Sequence, residues 1–94
     1  MAGAERVGPA KDHIIETEIE GEISLYDPST EQVMVLNKTA SDIWLLSDGE
    51  HTLQEMTDLL ANAYGVESVE IRKDVEETVS SFVENGFIAD GETG

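Results

Sequence analysis

The side chains best suited to proton transfer or metal binding in this sequence are two histidines, His13 and His51, and several carboxylate clusters. A ligand or base histidine needs a partner at fixed spacing, and neither has one: His13 ends a polar arm and His51 lies between two helical patterns. Both are read as solvent-facing loop residues. Asp27-Pro28-Ser29-Thr30-Glu31 is acidic but lacks the central glycine and ligand spacing of a calcium loop, and no glycine-rich phosphate loop occurs. Glu16, Glu18 and Glu20 alternate along one stretch, which makes them a solvated strand face; a catalytic carboxylate needs a perturbing environment. With no cysteine, thiolate chemistry is excluded. The expectation is a protein that is not an enzyme, with no metal and no cofactor.

Without disulfides the fold rests on packing, and the elements follow from periodicity. Ile15, Thr17 and Ile19 alternate with the three glutamates in the period-two pattern of a strand with one wet face. Gly21 marks a hairpin. A three-residue loop, Glu20 to Glu22, sets Ile19 opposite Ile23 and Thr17 opposite Leu25, whereas a two-residue loop pairs Ile19 with Glu22; the three-residue loop is expected. The second strand, Ile23 to Tyr26, ends at Asp27-Pro28-Ser29-Thr30, with Asp and Pro at the first two positions of a type I turn. That turn sets Ile23 opposite Met34 and Ser24 opposite Val33. Met34 and Leu36 then share the inner face with Ile23 and Leu25, while Val33 and Val35 face outward.

The third strand, Gln32 to Leu36, runs into a helix of about Ala40 to Ser47, with Thr39 and Asp42 as a capping-box variant, Asn37 and Lys38 as the hinge, and Trp44 as core filler. Thr52 to Glu55 is a full capping box opening a second helix, whose stripe is Leu53, Met56, Leu59, Leu60 and Ala63 and which closes at Tyr64-Gly65. A third helix begins near Ser68, carries Ile71, Val75, Val79, Phe82 and Val83, and ends at Asn85-Gly86, with Phe87-Ile88 suited to a Schellman cap. The predicted class is α+β: a three-stranded antiparallel β-meander followed by three α-helices on one face of the sheet. Residues 1–12 are expected to form a flexible N-terminal arm, 13–89 the domain and 90–94 a flexible tail.

A formal net charge of -16, from 21 acids against five bases, opposes a phosphate backbone, so nucleic acid is excluded as a partner. An acyl carrier role is excluded by the strands and by the missing Asp-Ser-Leu attachment site. No apolar run approaches the roughly 18 residues of a membrane span, and the N-terminus lacks an apolar signal region; a soluble cytoplasmic protein with no membrane partner is expected. The two sheet edges differ. The first strand carries three glutamates that discourage pairing, while the third carries no charge from Gln32 to Asn37. Val33 and Val35 on that open edge call for cover, by the arm or by a partner. An extended peptide added to the edge satisfies this. At about 100° per residue, Asp74, Thr78 and Ser81 lie on one shoulder of the third helix and Glu76 and Val83 on the other.

Val35-Leu36-Asn37-Lys38-Thr39-Ala40-Ser41-Asp42-Ile43-Trp44, then Asp48-Gly49, Thr52-Leu53, Tyr64-Gly65-Val66, Asp74-Val75 and Asn85-Gly86-Phe87-Ile88 stand in an order that resembles the PqqD-like family. These RiPP recognition elements are small peptide-binding domains of ribosomal-peptide biosynthesis, and the resemblance covers about Ile14 to Ile88. It implies a winged-helix-like fold that binds no nucleic acid, and a precursor leader peptide added as a fourth antiparallel strand on the third strand, against the third helix. For that placement the Thr78 shoulder is taken as the groove's second wall, with Val75, Thr78 and Phe82 lining an apolar pocket and Asp74 facing a basic residue, so the candidate peptide-binding set is Gln32, Val33, Met34, Val35, Leu36, Asp74, Val75, Thr78 and Phe82. Where the family often has an aromatic residue on that helix, this chain has Thr78. Two branches of stand-alone domains are similar to it. The favoured one is the leader-binding partner of the lasso-peptide peptidase, a transglutaminase-like enzyme; the alternative is the peptide chaperone of PQQ cofactor synthesis, which presents its precursor to a radical SAM enzyme.

Overall fold

Glu20 and Gly21 both lie in the left-handed region, at φ 53° and 85°. They form a two-residue turn between β1 (Ile15–Ile19) and β2 (Glu22–Asp27), as the favoured hairpin turns with two positive φ angles do. This computed structural model describes residues 6–88, so the predicted tail and the first five residues of the arm lie outside it. The turn corrects the expected three-residue loop: Ile19 pairs with Glu22 and Glu18 with Ile23. A slip of one residue exchanges the faces of a strand. Ile15, Thr17 and Ile19 therefore lie on the outer face, and Glu16 and Glu18 share the face of Ile23 and Leu25. The compensating contact is specific: the Trp44 indole Nε1–H donates to Glu16 Oε1 at 2.8 Å.

The second hairpin also differs, harmlessly. Asp27 pairs with Gln32 and Leu25 with Met34, so the four-residue loop is Pro28 to Glu31 where Asp27 to Thr30 is expected, and the register moves by two. A slip of two preserves the faces, and in β3 (Gln32–Val35) Val33 and Val35 point outward as expected. Asp27 closes the turn by accepting the Ser29 backbone N–H at 2.9 Å and its hydroxyl at 2.6 Å.

α1 (Lys38–Leu46) is capped by Asn37, whose Oδ1 accepts the Ala40 N–H at 2.8 Å. Thr39, the predicted cap, is already inside the helix. α2 (Leu53–Tyr64) opens with the expected reciprocal box: Glu55 N–H to Thr52 Oγ1 at 3.1 Å, Thr52 N–H to Glu55 Oε1 at 2.9 Å. Its buried stripe is Met56, Thr57, Leu60 and Ala61, whereas Leu59 and Ala63 of the predicted stripe are exposed. Thr57 joins the core because its hydroxyl donates to the Leu53 carbonyl at 2.8 Å, which leaves its methyl to pack. α3 (Ser68–Glu84) buries Ile71, Val75 and Phe82 and ends in the expected Schellman pattern, Phe87 N–H to Phe82 O at 2.9 Å and Gly86 N–H to Val83 O at 3.1 Å.

The sheet order is β1-β2-β3, and the core gathers Ile23, Leu25 and Leu36 of its inner face with Ile43, Trp44, Met56, Phe82 and Phe87. α1 packs on β2, and α3 packs on α1 and α2. Residues 6–11, which sequence patterning places in an arm outside the domain, are hydrogen-bonded to it: Val7 N–H to His51 O, Gly49 N–H to Val7 O and Lys11 N–H to Phe87 O. Gly8 makes the approach possible, since a Cβ there would collide with the Ser47 carbonyl oxygen. Among the described residues no helix is long and apolar enough to cross a membrane.

Candidate functional site

The Leu36 N–H donates to Ile23 O at 2.8 Å, which fixes the phase of β3. In an antiparallel ladder both main-chain groups of a residue point to the same side, and successive residues alternate. Leu36, Met34 and Gln32 thus turn their N–H and C=O groups toward β2, and Val35 and Val33 turn theirs to the opposite edge. No described residue pairs with that edge. At the end of the ladder Ser41 completes the pattern, its Oγ accepting the Ile23 N–H at 2.9 Å and donating to Leu36 O at 3.5 Å. The edge strand is therefore clamped to α1 from within while its outer backbone stays open. Residues 6–12 do not cover it either; among the described residues Val33 and Val35 remain 62% and 72% exposed.

Beside this edge runs a groove of about 310 Å³ between β3 and α3, lined by Met34, Val35, Leu36, Asn37 and Ala40 on one side and Glu77, Thr78, Ser81 and Phe82 on the other. It adjoins a more polar hollow of about 280 Å³ bounded by Asn37, Thr39, Ala40, Asp74, Glu77 and Thr78. Five of the predicted residues, Met34, Val35, Leu36, Thr78 and Phe82, meet at the groove, and Asp74 stands in the hollow. The other three do not line it. Val75 is fully buried, Val33 projects from the opposite face of the sheet, and Gln32 ties β3 to the end of α3 by donating from Nε2 to Asn85 Oδ1 at 2.7 Å. Phe82 is mainly a core residue, 1% exposed, with its ring edge-on to Trp44 (centroids 5.2 Å apart, planes at 83°).

Patterning missed Asn37, Thr39, Ala40, Glu77 and Ser81 as lining residues. Ser81 and Glu77 were within reach, since 74, 77, 78 and 81 form an i, i+3, i+4, i+7 row on α3. Asn37, Thr39 and Ala40 depend on how α1 meets α3, which a one-dimensional pattern does not contain. The small side chains Ala40, Thr78 and Ser81 leave the space open, and Asp74 and Glu77 make one end of it acidic.

Both histidines have a carboxylate partner that spacing did not reveal: His13 Nε2 lies 3.1 Å from Asp27 Oδ1, and His51 Nδ1 lies 3.0 Å from Asp48 Oδ1. The Ser29 hydroxyl, helped by the Ser29 N–H and His13, holds the buried Asp27 carboxyl below its ordinary range despite the opposing effect of burial. The Glu50 N–H and His51 lower Asp48, and Asp48 in turn raises His51. Burial, with Asp42 as hydrogen-bond acceptor, pushes the Tyr64 phenol up. Each pair staples a turn or a helix end and stands apart from the groove. Among the described residues no three His, Asp or Glu side chains gather to hold a metal ion.

Residues 22–88 of the 94 match the family described as "Coenzyme PQQ synthesis protein D (PqqD)". The chain belongs to the PqqD family. The matched span opens at β2 and closes at Ile88, so every residue lining the groove falls inside the PqqD region. Two solved structures are similar to this PqqD-family fold. "TbiB1 in Complex with the TbiA(beta) Leader Peptide" superposes with a TM-score of 0.76 at 20% identity, covering 86% of this chain and 98% of that one. "Lasso peptide synthetase B1 complexed with the leader peptide" gives 0.77 at 23%, covering 87% and 96%. No curated protein matches. At these identities the likeness establishes three strands followed by three helices as a shared architecture.

Proposed function

We propose that this PqqD-family chain binds the leader peptide of a ribosomally made precursor as a fourth antiparallel strand on β3, with alternate leader side chains seated against α3. It then delivers the precursor to a separate leader peptidase in lasso-peptide biosynthesis. The observation that carries the reading is the open edge of β3, whose Val33 and Val35 backbone groups face a side that no described residue pairs with, directly beside a groove. Main-chain hydrogen bonds would supply affinity, and the pocket floored by Phe82 and flanked by Thr78 would supply selectivity for an apolar, aromatic or proline side chain. Asp74 and Glu77 favour a basic leader residue at the polar end. Both similar structures are described as leader-peptide complexes, which supports a leader peptide as the ligand.

The chain's role in this reading is non-catalytic and cytoplasmic. A tether alone raises the local concentration of a bound substrate to the order of millimolar, and the chemistry belongs to the transglutaminase-like partner. The family's description favours a second reading, a chaperone of PQQ synthesis that presents its precursor to a radical SAM enzyme. Gene neighbours separate the two. Mixing purified protein, peptidase and precursor tests the first: cleavage accelerates when all three are present and loses that gain when the leader's binding segment is scrambled. Cleavage by this protein alone, or a peptidase indifferent to it, overturns the delivery role.

A further inference from the structure

The outer face of the sheet, uncovered by any described residue, carries several apolar side chains. Ile15, Tyr26 and Val33 form one cross-strand row and Thr17, Ser24 and Val35 the next, with the pair Ile19 and Glu22 beyond them. Ile15 is 52% exposed and Ile19 67%, alongside the exposed valines of β3. The one-residue register of β1 produces this surface: it turns Glu16 inward to the Trp44 indole and brings both isoleucines out. A sheet with acids to spare has put its branched apolar residues in water, and contiguous patches of this kind mark interaction sites. Residues 6–12 are bound at His51 and Phe87, and the face stays exposed among the described residues.

We infer that this face docks the maturation enzyme that acts on the bound precursor, and that the enzyme offers an apolar patch bordered by basic residues. The inference rests on the leader-binding reading, because a strand added along β3 sets every second side chain onto this same face, beside Val33 and Val35. Protein and leader then present one continuous surface. Charge decides the occupant. Glu22 lies on the face opposite Ile19, Glu20 and Glu31 stand at the two turns, and none of the five basic residues falls within β1, β2 or β3. A second copy would set one net charge of -16 against another, whereas a basic rim is complementary.

The test uses the full chain carrying Ile15→Thr and Ile19→Thr, which keeps β-branched side chains on the strand while making the surface polar. Val69→Thr on α3, also strongly exposed, is the control off the face. Titration with the precursor leader comes first, and both variants bind it as the parent does. The probe is then a purified transglutaminase-like leader peptidase of lasso-peptide biosynthesis, titrated with and without leader present. The paired substitution weakens the enzyme complex on the order of tenfold; Val69→Thr leaves it unchanged, and raising the salt weakens the parent complex. Enzyme affinity unchanged by the paired substitution overturns the docking face, as does loss of leader binding in that variant or sedimentation of the parent as a dimer through this face. A parent that fails to bind leader sinks the leader-binding reading instead, and the leader-free enzyme titration still tests the face.

Discussion

Thr78 stands at the narrowest chemical choice in the groove, where a small side chain leaves room between Met34 and Phe82. Thr78→Trp would fill that space from the partly exposed surface of α3, so leader affinity measured by calorimetry should fall at least about tenfold while the unfolding midpoint changes little. Phe82 behaves differently because it belongs to the core: Phe82→Ala should cost about 3–5 kcal/mol of stability in denaturant unfolding, and it is a poor probe of binding. A Thr78→Trp protein with parental affinity would move the site away from this shoulder of α3. Asp27 gives a pH prediction. Its folded pKa is lowered, so its contribution is complete above the unfolded value of about 3.9 and is lost as pH falls through the folded one. The stability difference between the parent and Asp27→Asn should therefore be constant at neutral pH and shrink below about pH 4. The other acids titrate in both proteins and cancel. A difference independent of pH would mean that the Ser29 and His13 contacts do not favour the carboxylate.

At the scale of elements, the phase of β3 separates two substitutions that look alike in sequence. Val35→Pro removes a donor that points to the open edge, and one lost main-chain bond of about 0.5–1.5 kcal/mol should weaken leader binding up to about tenfold in a protein of nearly unchanged stability. Met34→Pro removes a donor to β2 instead and should destabilise the domain itself, as circular dichroism melts would show. Equal effects from the two would contradict the assigned phase. The strand and helix order was legible because each element carries a strong local signal: the alternation from Ile15, the box at Thr52 and Glu55, the Asn85-Gly86 stop. Register was not. Gly21 admits both a two- and a three-residue loop, and the decision came from the long-range bond between Trp44 and Glu16, residues 28 apart in the chain. The cap of α1 was misplaced for a more local reason, since Asn37 and Thr39 are both good caps and only the backbone turn between them selects one. In the groove, the strand wall and Thr78 were readable from period and charge, whereas the part built by Asn37, Thr39 and Ala40 arises from the packing of α1 against α3.

At the scale of the whole molecule, one sheet serves two surfaces. Its β3 edge and inner side form the groove, and its outer face exposes Ile15, Ile19, Val33 and Val35 in a chain of net charge -16. The fold class and the PqqD family membership fit a module that presents a peptide. The central claim is that the leader becomes a fourth strand, and amide hydrogen exchange tests it most directly. Met34 and Leu36, whose N–H groups face β2, should be protected in the free protein and change little. Val33 and Val35, whose N–H groups face the open edge, should exchange freely and become protected when the leader is added. Saturating leader that leaves the Val33 and Val35 amides exchanging as fast as before would contradict strand addition on β3.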